Sequence, residues 1–159
     1  MINEIAKKLA NELRQTLDGA TWYDANFSNI IEDIDADTAV KKLKGFPNSI
    51  VEIVCHMTQW KIFCIRKFEG NAAFDIVSNS EDDWKRFNSL SDEEWVDIKQ
   101  NFENATIDLA NAIAASPDEM MDRIVPGRKY AFFHLVTGIT QHEAVHSTQI
   151  AYLKRMLEG

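Results

Sequence analysis

The sequence is poor in the residues that interrupt regular structure. Its 159 residues include only six glycines and three prolines. So few breakers over that length favour long helices over a turn-rich β fold.

Cysteine is scarce too: Cys55 and Cys64 lie nine residues apart in a segment that is predicted to be one helix. Their Cα atoms would then be about 13 Å apart, too far for a disulfide. Reduced cysteines, and an N-terminus without the pattern of a signal peptide, predict a cytoplasmic protein.

Basic residues are outnumbered, and long apolar runs are missing. The chain has 17 Lys and Arg against 25 Asp and Glu, a formal net charge of -8 at pH 7. That balance argues against a general nucleic-acid binder, which must neutralise phosphates, and against docking on anionic lipid. No segment approaches the roughly 18 apolar residues of a membrane span. The expected partner is therefore a small molecule rather than a nucleic acid or a membrane.

The hydrophobic pattern predicts a single all-α domain over residues 1–159. Apolar residues recur at helical spacing in four long segments, at about 2–18, 49–68, 92–115 and 130–157. Capping-box sequences begin the second and third of these helices, at Ser49 and Ser91. The long first connection, 20–46, is expected to contain one or two short helices. In the polar stretch 71–90, Trp84 and Phe87 are expected to anchor the chain by packing. We predict a four-helix bundle with a long first crossover.

Two histidines fall within the apolar stripe of the last long helix. His142 and His146 are one turn apart and point in nearly the same direction as Leu135, Ile139, Ile150 and Leu153. A buried imidazole is costly unless a partner satisfies it, and a pair at this spacing can converge on one metal ion. His56, on the second long helix, could supply a third ligand or be a hydrogen-bonded core residue. Three neutral histidines would leave coordination positions open, which is typical of a catalytic site.

The other polar residues near this pair receive lesser roles. His134 points about 80° away from His142, so it is expected to be structural. Gln149, at about -20°, is the better of two glutamines for a hydrogen bond to a ligand histidine. Glu143, at about 100°, is not expected to bind a metal.

The residues from His142 to His146 also spell H-E-x-x-H, which is typical of zinc proteases. That activity needs a further ligand, usually downstream, and a β edge to hold the substrate. Only Glu158 among the downstream residues is acidic, and no strand is evident upstream. The protease therefore remains a minor alternative.

Three segments together resemble one known family. They run from Gly19 to Ile31, from Asn48 to Trp60 around His56, and from Gly138 to Ile150. The last contains H-x-x-x-H followed by a small pair and Gln-Ile. In these segments the chain resembles the DinB superfamily of helical-bundle metal proteins, which includes the YfiT-like thiol transferases. One departure is Ser147-Thr148, where a glycine commonly precedes the glutamine.

The resemblance implies an up-down-down-up bundle that holds a divalent metal through His56, His142 and His146. It also implies a homodimer. The family's characterised enzymes are metal-dependent transferases or isomerases that use low-molecular-weight thiols such as bacillithiol or mycothiol.

The functional expectation is a metal-dependent transferase or hydrolase of small molecules, with Zn²⁺ or Ni²⁺ as the metal. The resemblance implies a low-molecular-weight thiol as co-substrate, and a metal would lower the pKa of a thiol or a water molecule that it binds. Cys55 points about 100° away from His56, so the chain offers no thiol of its own. The alternative is a non-catalytic, stress-related metal-binding homodimer. A roomy cavity open to solvent beside the histidines would favour the enzyme, and a closed site would favour the alternative.

Overall fold

The structure is a computed structural model that describes residues 2–22 and 25–159. Tyr23 and Asp24, within the first segment of the family resemblance, lie outside the described residues. The described part is all-helical, with a single isolated β-bridge and no strand, so the predicted fold class is confirmed. Its helices are α1 (Glu4–Asp18), α2 (Phe27–Ile31), α3 (Ala36–Val40), α4 (Ile50–Phe68), α5 (Asp92–Ala115) and α6 (Phe132–Glu158).

The four long helices begin and end close to their predicted limits. At α4, the backbone N–H of Ser49 donates to Glu52 Oε2 at 3.0 Å, which satisfies a free donor at the helix start. Gly70 follows the end of α4 with φ +84°, a conformation that glycine adopts without strain. The start of α6 was predicted two residues too early. Ala131 is held extended instead because it forms the β-bridge, and the Val125 N–H donates to the carbonyl of Tyr130, which lies in a bend just before it.

The long helices pack in a ring in which each contacts two others. α1 packs on α5 and α6, and α4 packs on the same two helices. α4 and α6 run antiparallel, since Phe68 contacts Phe132 near one end and His56 contacts His142 further along. The predicted short helices are present: α2 packs on α1 and α6, and α3 on α4 and α5.

None of the helices in the described part of the chain combines the length and hydropathy that crossing a bilayer requires.

The hydrophobic core consists of two clusters with a polar level between them. On α4, Met57 belongs to one cluster and Phe63 to the other. On α6, Ile139 and Ile150 are divided between the clusters in the same way. The intervening side chains include Lys61 on α4 and three of α6: His142, Glu143 and His146. The bundle therefore places these four polar side chains at one level, between the two apolar clusters.

Lys61 and Glu143 form an ion pair in the interior of the bundle. Lys61 Nζ lies 2.8 Å from Glu143 Oε2, and the two side chains are 0% and 1% exposed. The same ammonium lies 3.4 Å from the centroid of the Phe102 ring on α5, so the contact joins three helices. Burial lowers the pKa of Lys61 to about 8 and raises the pKa of Glu143. Each group therefore depends on the other to remain charged.

Glu52 holds the segment between α4 and α5 against the bundle. Its buried carboxylate pairs with Lys42 at 3.0 Å and with Arg86 at 3.1 Å. It also accepts a hydrogen bond from the backbone N–H of Phe87 at 3.4 Å. Trp84 and Phe87 pack against the core, as predicted. Glu52 thus caps the start of α4 and also fixes the chain just after Asp83.

Removing one member of the buried ion pair should destabilise the fold strongly. We expect Lys61→Met to lower the free energy of unfolding by about 3–5 kcal/mol, because Glu143 is left buried without its partner. The double variant Lys61→Met/Glu143→Leu should recover most of that loss, since no charge remains buried. Urea unfolding measures both. Arg66→Met, which breaks an exposed ion pair with Glu69, serves as the control and should change stability by under about 1 kcal/mol. A single variant as stable as the control would show that Glu143 needs no partner.

Candidate metal centre

The structure brings His56, His142 and His146 together. One ring nitrogen from each lies within 4.8 Å of the others. The ring centroids of His142 and His146 are 4.3 Å apart, and each lies about 5 Å from that of His56. One turn of α6 supplies two of the rings, and the neighbouring α4 supplies the third. Among the described residues, this is the one group of three or more His, Cys, Asp or Glu side chains with such convergence.

His56 is held in place from two directions. Its Nδ1 lies 2.8 Å from Asp83 Oδ1 and 3.1 Å from the Asp83 carbonyl oxygen. Both oxygens are acceptors, so Nδ1 carries the hydrogen and Nε2 presents a bare lone pair to the other histidines. Trp84 stacks on the His56 ring with a centroid distance of 3.8 Å and an interplanar angle of 5°. The ring can therefore neither flip nor tilt freely.

Asp83 is itself fixed by donors from two other parts of the chain. The indole N–H of Trp60 donates to Asp83 Oδ1 at 2.9 Å, and the backbone N–H of Asn79 donates to Oδ2 at 2.7 Å. The carboxylate is buried, with 4% exposure. A carboxylate behind a histidine orients the ring and raises the basicity of the opposite nitrogen.

His146 has a partner of the same kind on its own helix. Its Nδ1 lies 2.7 Å from Gln149 Oε1, so Nδ1 donates the hydrogen and Nε2 is left bare. Gln149 is the glutamine that helix geometry selected. Two of the three rings thus share one arrangement, an oxygen behind Nδ1 and a free Nε2 in front.

His142 differs because its Nε2 lies against another nitrogen. The distance from His142 Nε2 to His56 Nε2 is 3.0 Å. Two bare lone pairs would repel at that distance, so one nitrogen must carry a hydrogen. His56 already holds its hydrogen on Nδ1, which assigns this one to His142 Nε2. The buried Nδ1 of His142 has no hydrogen-bond partner among the described residues, consistent with that tautomer.

The surroundings keep all three imidazoles neutral. Burial lowers the pKa of His142 to about 3, and His146, His56 and Lys61 lower it further by repelling positive charge. Burial is also the main cause of the lowered pKa values of His56 and His146. Neutral imidazole is the form that binds metal ions. The donor set, its protonation state and the oxygens behind it fit a divalent transition metal.

A cavity of about 220 Å³ adjoins the cluster at His142, which is the one histidine of the three that forms part of its wall. It lies between α4 and α6, and the exposed His134 lines it as well. The cavity is not closed off from solvent. Of the two arrangements expected beside the histidines, a roomy open cavity and a closed packed site, the structure has the first.

The remaining sequence-based expectations for the site have mixed outcomes. His134 does not join the cluster, but it lines the cavity beside it and is thus nearer the site than its direction suggested. The Glu143 carboxylate faces Lys61 rather than the histidines. A zinc protease of this type needs the glutamate at the metal as well as a β edge for the substrate, and the described part of the chain offers neither.

Sequence reasoning missed Asp83 and the role of Trp84 against His56. Asp83 ends an acidic run that includes Glu81 and Asp82, both of which are exposed. Nothing in the run itself distinguishes the residue that folds inward. The following tryptophan is the one local signal, because a packed indole draws its neighbour toward the core.

Comparison with known proteins identifies one family. The family model described as the DinB superfamily matches residues 20–150, most of the chain. The matched range contains all three histidines, Asp83 and Gln149. No curated protein and no solved structure is significantly similar to the chain.

The contacts predict a specific tautomer for each ring. In the metal-free protein at pH 7, His56 and His146 should carry hydrogen on Nδ1 and His142 on Nε2. Because its pKa is lowered to about 3, His142 should still be neutral at pH 5. Two-bond ¹H–¹⁵N correlation spectra of histidine-labelled protein, recorded as a pH titration, measure both properties. Protonation of all three rings near the ordinary value of 6.5 would contradict the arrangement.

Proposed function

The chain belongs to the DinB superfamily, and from that membership and the geometry of the three histidines we propose that it is a metal-dependent enzyme. In this proposal His56, His142 and His146 hold one divalent transition metal, Zn²⁺ or Ni²⁺. The reaction is a transfer or hydrolysis of a small molecule, with a low-molecular-weight thiol as co-substrate. The observation that carries the proposal is the convergence of three neutral imidazoles beside an open cavity.

The residues behind the ligands support metal binding over ordinary core packing. A histidine that serves only the core needs its two nitrogens satisfied, and each ring here has one nitrogen directed at other imidazoles. Asp83 and Gln149 hold the hydrogens on the far side of His56 and His146. Such partners are expected behind metal ligands, because they fix the tautomer and the ring direction.

In this proposal the residues around the three histidines have different roles. When bound, a metal of this kind acts as a Lewis acid and lowers the pKa of a coordinated thiol or water. Trp84 covers one face of His56 and keeps water from that side. The Lys61 ammonium, which is buried and paired with Glu143, helps to lower the pKa of His142 and so to keep that ring neutral. The wall at His142 leaves room for a small substrate.

The nucleophile must come from outside the chain. Burial raises the pKa of Cys64 to about 12 and that of Cys55 to about 11, so both thiols stay protonated at neutral pH. The thiolate is the reactive form of cysteine. Since neither residue can supply it, an external thiol or water is the better candidate.

Metal binding should depend on the three histidines and on Asp83. We expect wild-type protein to bind one equivalent of Zn²⁺ or Ni²⁺ and His146→Ala to lose it on dialysis. Asp83→Asn should bind about 10–100-fold more weakly, because the charge behind His56 is removed. Calorimetric titration and metal analysis by mass spectrometry measure these effects.

His134→Ala is the matched control for these variants. It removes an imidazole from the same helix as His146 but outside the cluster, and should bind metal like the wild type. A wild-type protein that takes up no metal after reconstitution would refute the proposal. Full occupancy without turnover on any thiol or ester in a panel would favour the non-catalytic metal-binding homodimer.

The cysteines should be inert in the folded protein. At pH 8 we expect Cys64 to resist a disulfide reagent such as DTNB, because it is buried and its pKa is about 12. Both thiols should react once the protein is unfolded in guanidinium chloride. Any thiol-transfer activity should persist in Cys55→Ala and in Cys64→Ser, which removes the thiol but nearly keeps the volume of this cavity-lining side chain. Rapid labelling of the folded protein, or loss of kcat in either variant, would place a nucleophile within the chain.

A further inference from the structure

The cavity beside the histidines has an apolar wall. α4 contributes Trp60 and Phe63, and α6 contributes Leu135, Gly138 and Ile139. On α6 these residues and His142 follow a spacing of three and four, so they form one stripe that ends at the histidine cluster. A molecule in the cavity would therefore lie along this stripe with one end at His142.

Because Gly138 has no side chain, it contributes to the volume of the cavity. It lies within α6, where glycine costs about 1 kcal/mol relative to alanine. A Cβ atom at this position would meet no atom within 4 Å. Close helix packing therefore does not require glycine here. Its effect is to leave the cavity wall open at the level just before His142.

The side chains that line the cavity disfavour a charged ligand. The described residues that line the cavity include no Lys, Arg, Asp or Glu. A carboxylate or phosphate bound against these side chains, away from the metal ligands, would lose its water without gaining a cation, which is costly. At the end away from the cluster, Tyr130 and His134 offer polar atoms close to solvent. The Arg128 guanidinium lies near Tyr130 and 5.0 Å from the centroid of the Phe63 ring, but its charge is paired with Asp75. A charged thiol must therefore approach the histidines by another route.

The volume of the cavity limits the size of the substrate group that can enter it. A buried apolar cavity of about 150 Å³ binds benzene, whereas sites for drug-sized ligands occupy about 300–1,000 Å³. At about 220 Å³, this cavity fits one ring with a short substituent.

We infer that this cavity holds an uncharged apolar group of the substrate, about the size of one aromatic ring, with the reacting end directed at His142. This inference rests on the proposed function. It assigns the electrophile, rather than the thiol, to the cavity. The substrate class is thus a small neutral molecule with an aromatic or compact aliphatic group next to the reacting atom.

Benzyl alcohol and benzoate test the cavity directly, since they are similar in size and differ in charge. In metal-free protein with labelled Ile and Leu methyl groups, benzyl alcohol should cause saturable NMR shifts at Ile139 and Leu135. Benzoate should not, because without the metal the cavity lining offers its carboxylate no cation. Gly138→Leu should weaken the binding of benzyl alcohol at least about tenfold, because the new side chain fills the space. Gly138→Ala should have an intermediate effect.

Thr137→Leu is the matched control, because it adds the same side chain one residue earlier on α6, outside the cavity. It should bind benzyl alcohol like the wild type, and metal analysis should give the same content for every variant. Equal binding of benzoate, or shifts that persist in Gly138→Leu, would overturn the inference. If the wild type takes up no metal on reconstitution while benzyl alcohol still shifts the methyl signals, the proposed function is refuted and the cavity remains an apolar binding site.

Discussion

The middle of the bundle must accommodate polar groups that an apolar core would exclude. Lys61 and Glu143 meet this constraint by pairing with each other against Phe102. Their contact divides the hydrophobic core into two clusters and links α4 to α6 at the level of the histidines. An unpaired charge at this depth would cost several kcal/mol. The pair therefore favours one alignment of α4 against α6, and the approach of His56 to His142 and His146 depends on that alignment.

The segment between α4 and α5 contributes to the histidine site that α4 and α6 form. It contains no α-helix, yet it supplies Asp83 behind His56 and Trp84 across the ring. Its position depends on Glu52, which starts α4 and binds Arg86 and the Phe87 amide. One carboxylate thus serves helix capping, loop anchoring and, indirectly, the orientation of a histidine. The N-terminus of α4 and the candidate site are parts of one connected arrangement.

Much of this architecture could be predicted from local rules, and the rest depends on tertiary contacts. Helix limits follow from apolar periodicity and caps, so α4 and α5 were predicted to within a residue. The histidine cluster follows from rotation along a helix, which also selected Gln149. Asp83 could not be predicted, because its partner lies 27 residues away and its acidic neighbours are exposed. The start of α6 was misplaced because a β-bridge outside the helix holds Ala131 extended.

The five residues from His142 to His146 illustrate how helix partners decide the meaning of a motif. In a zinc protease of the H-E-x-x-H type, the glutamate serves as general base for a metal-bound water. Here the glutamate has the same spacing, but Lys61 on the neighbouring helix draws its carboxylate into the core. A carboxylate held by a buried ammonium is not free to accept a proton from a substrate. The same sequence thus provides two imidazoles for a candidate site and one anchor for the fold.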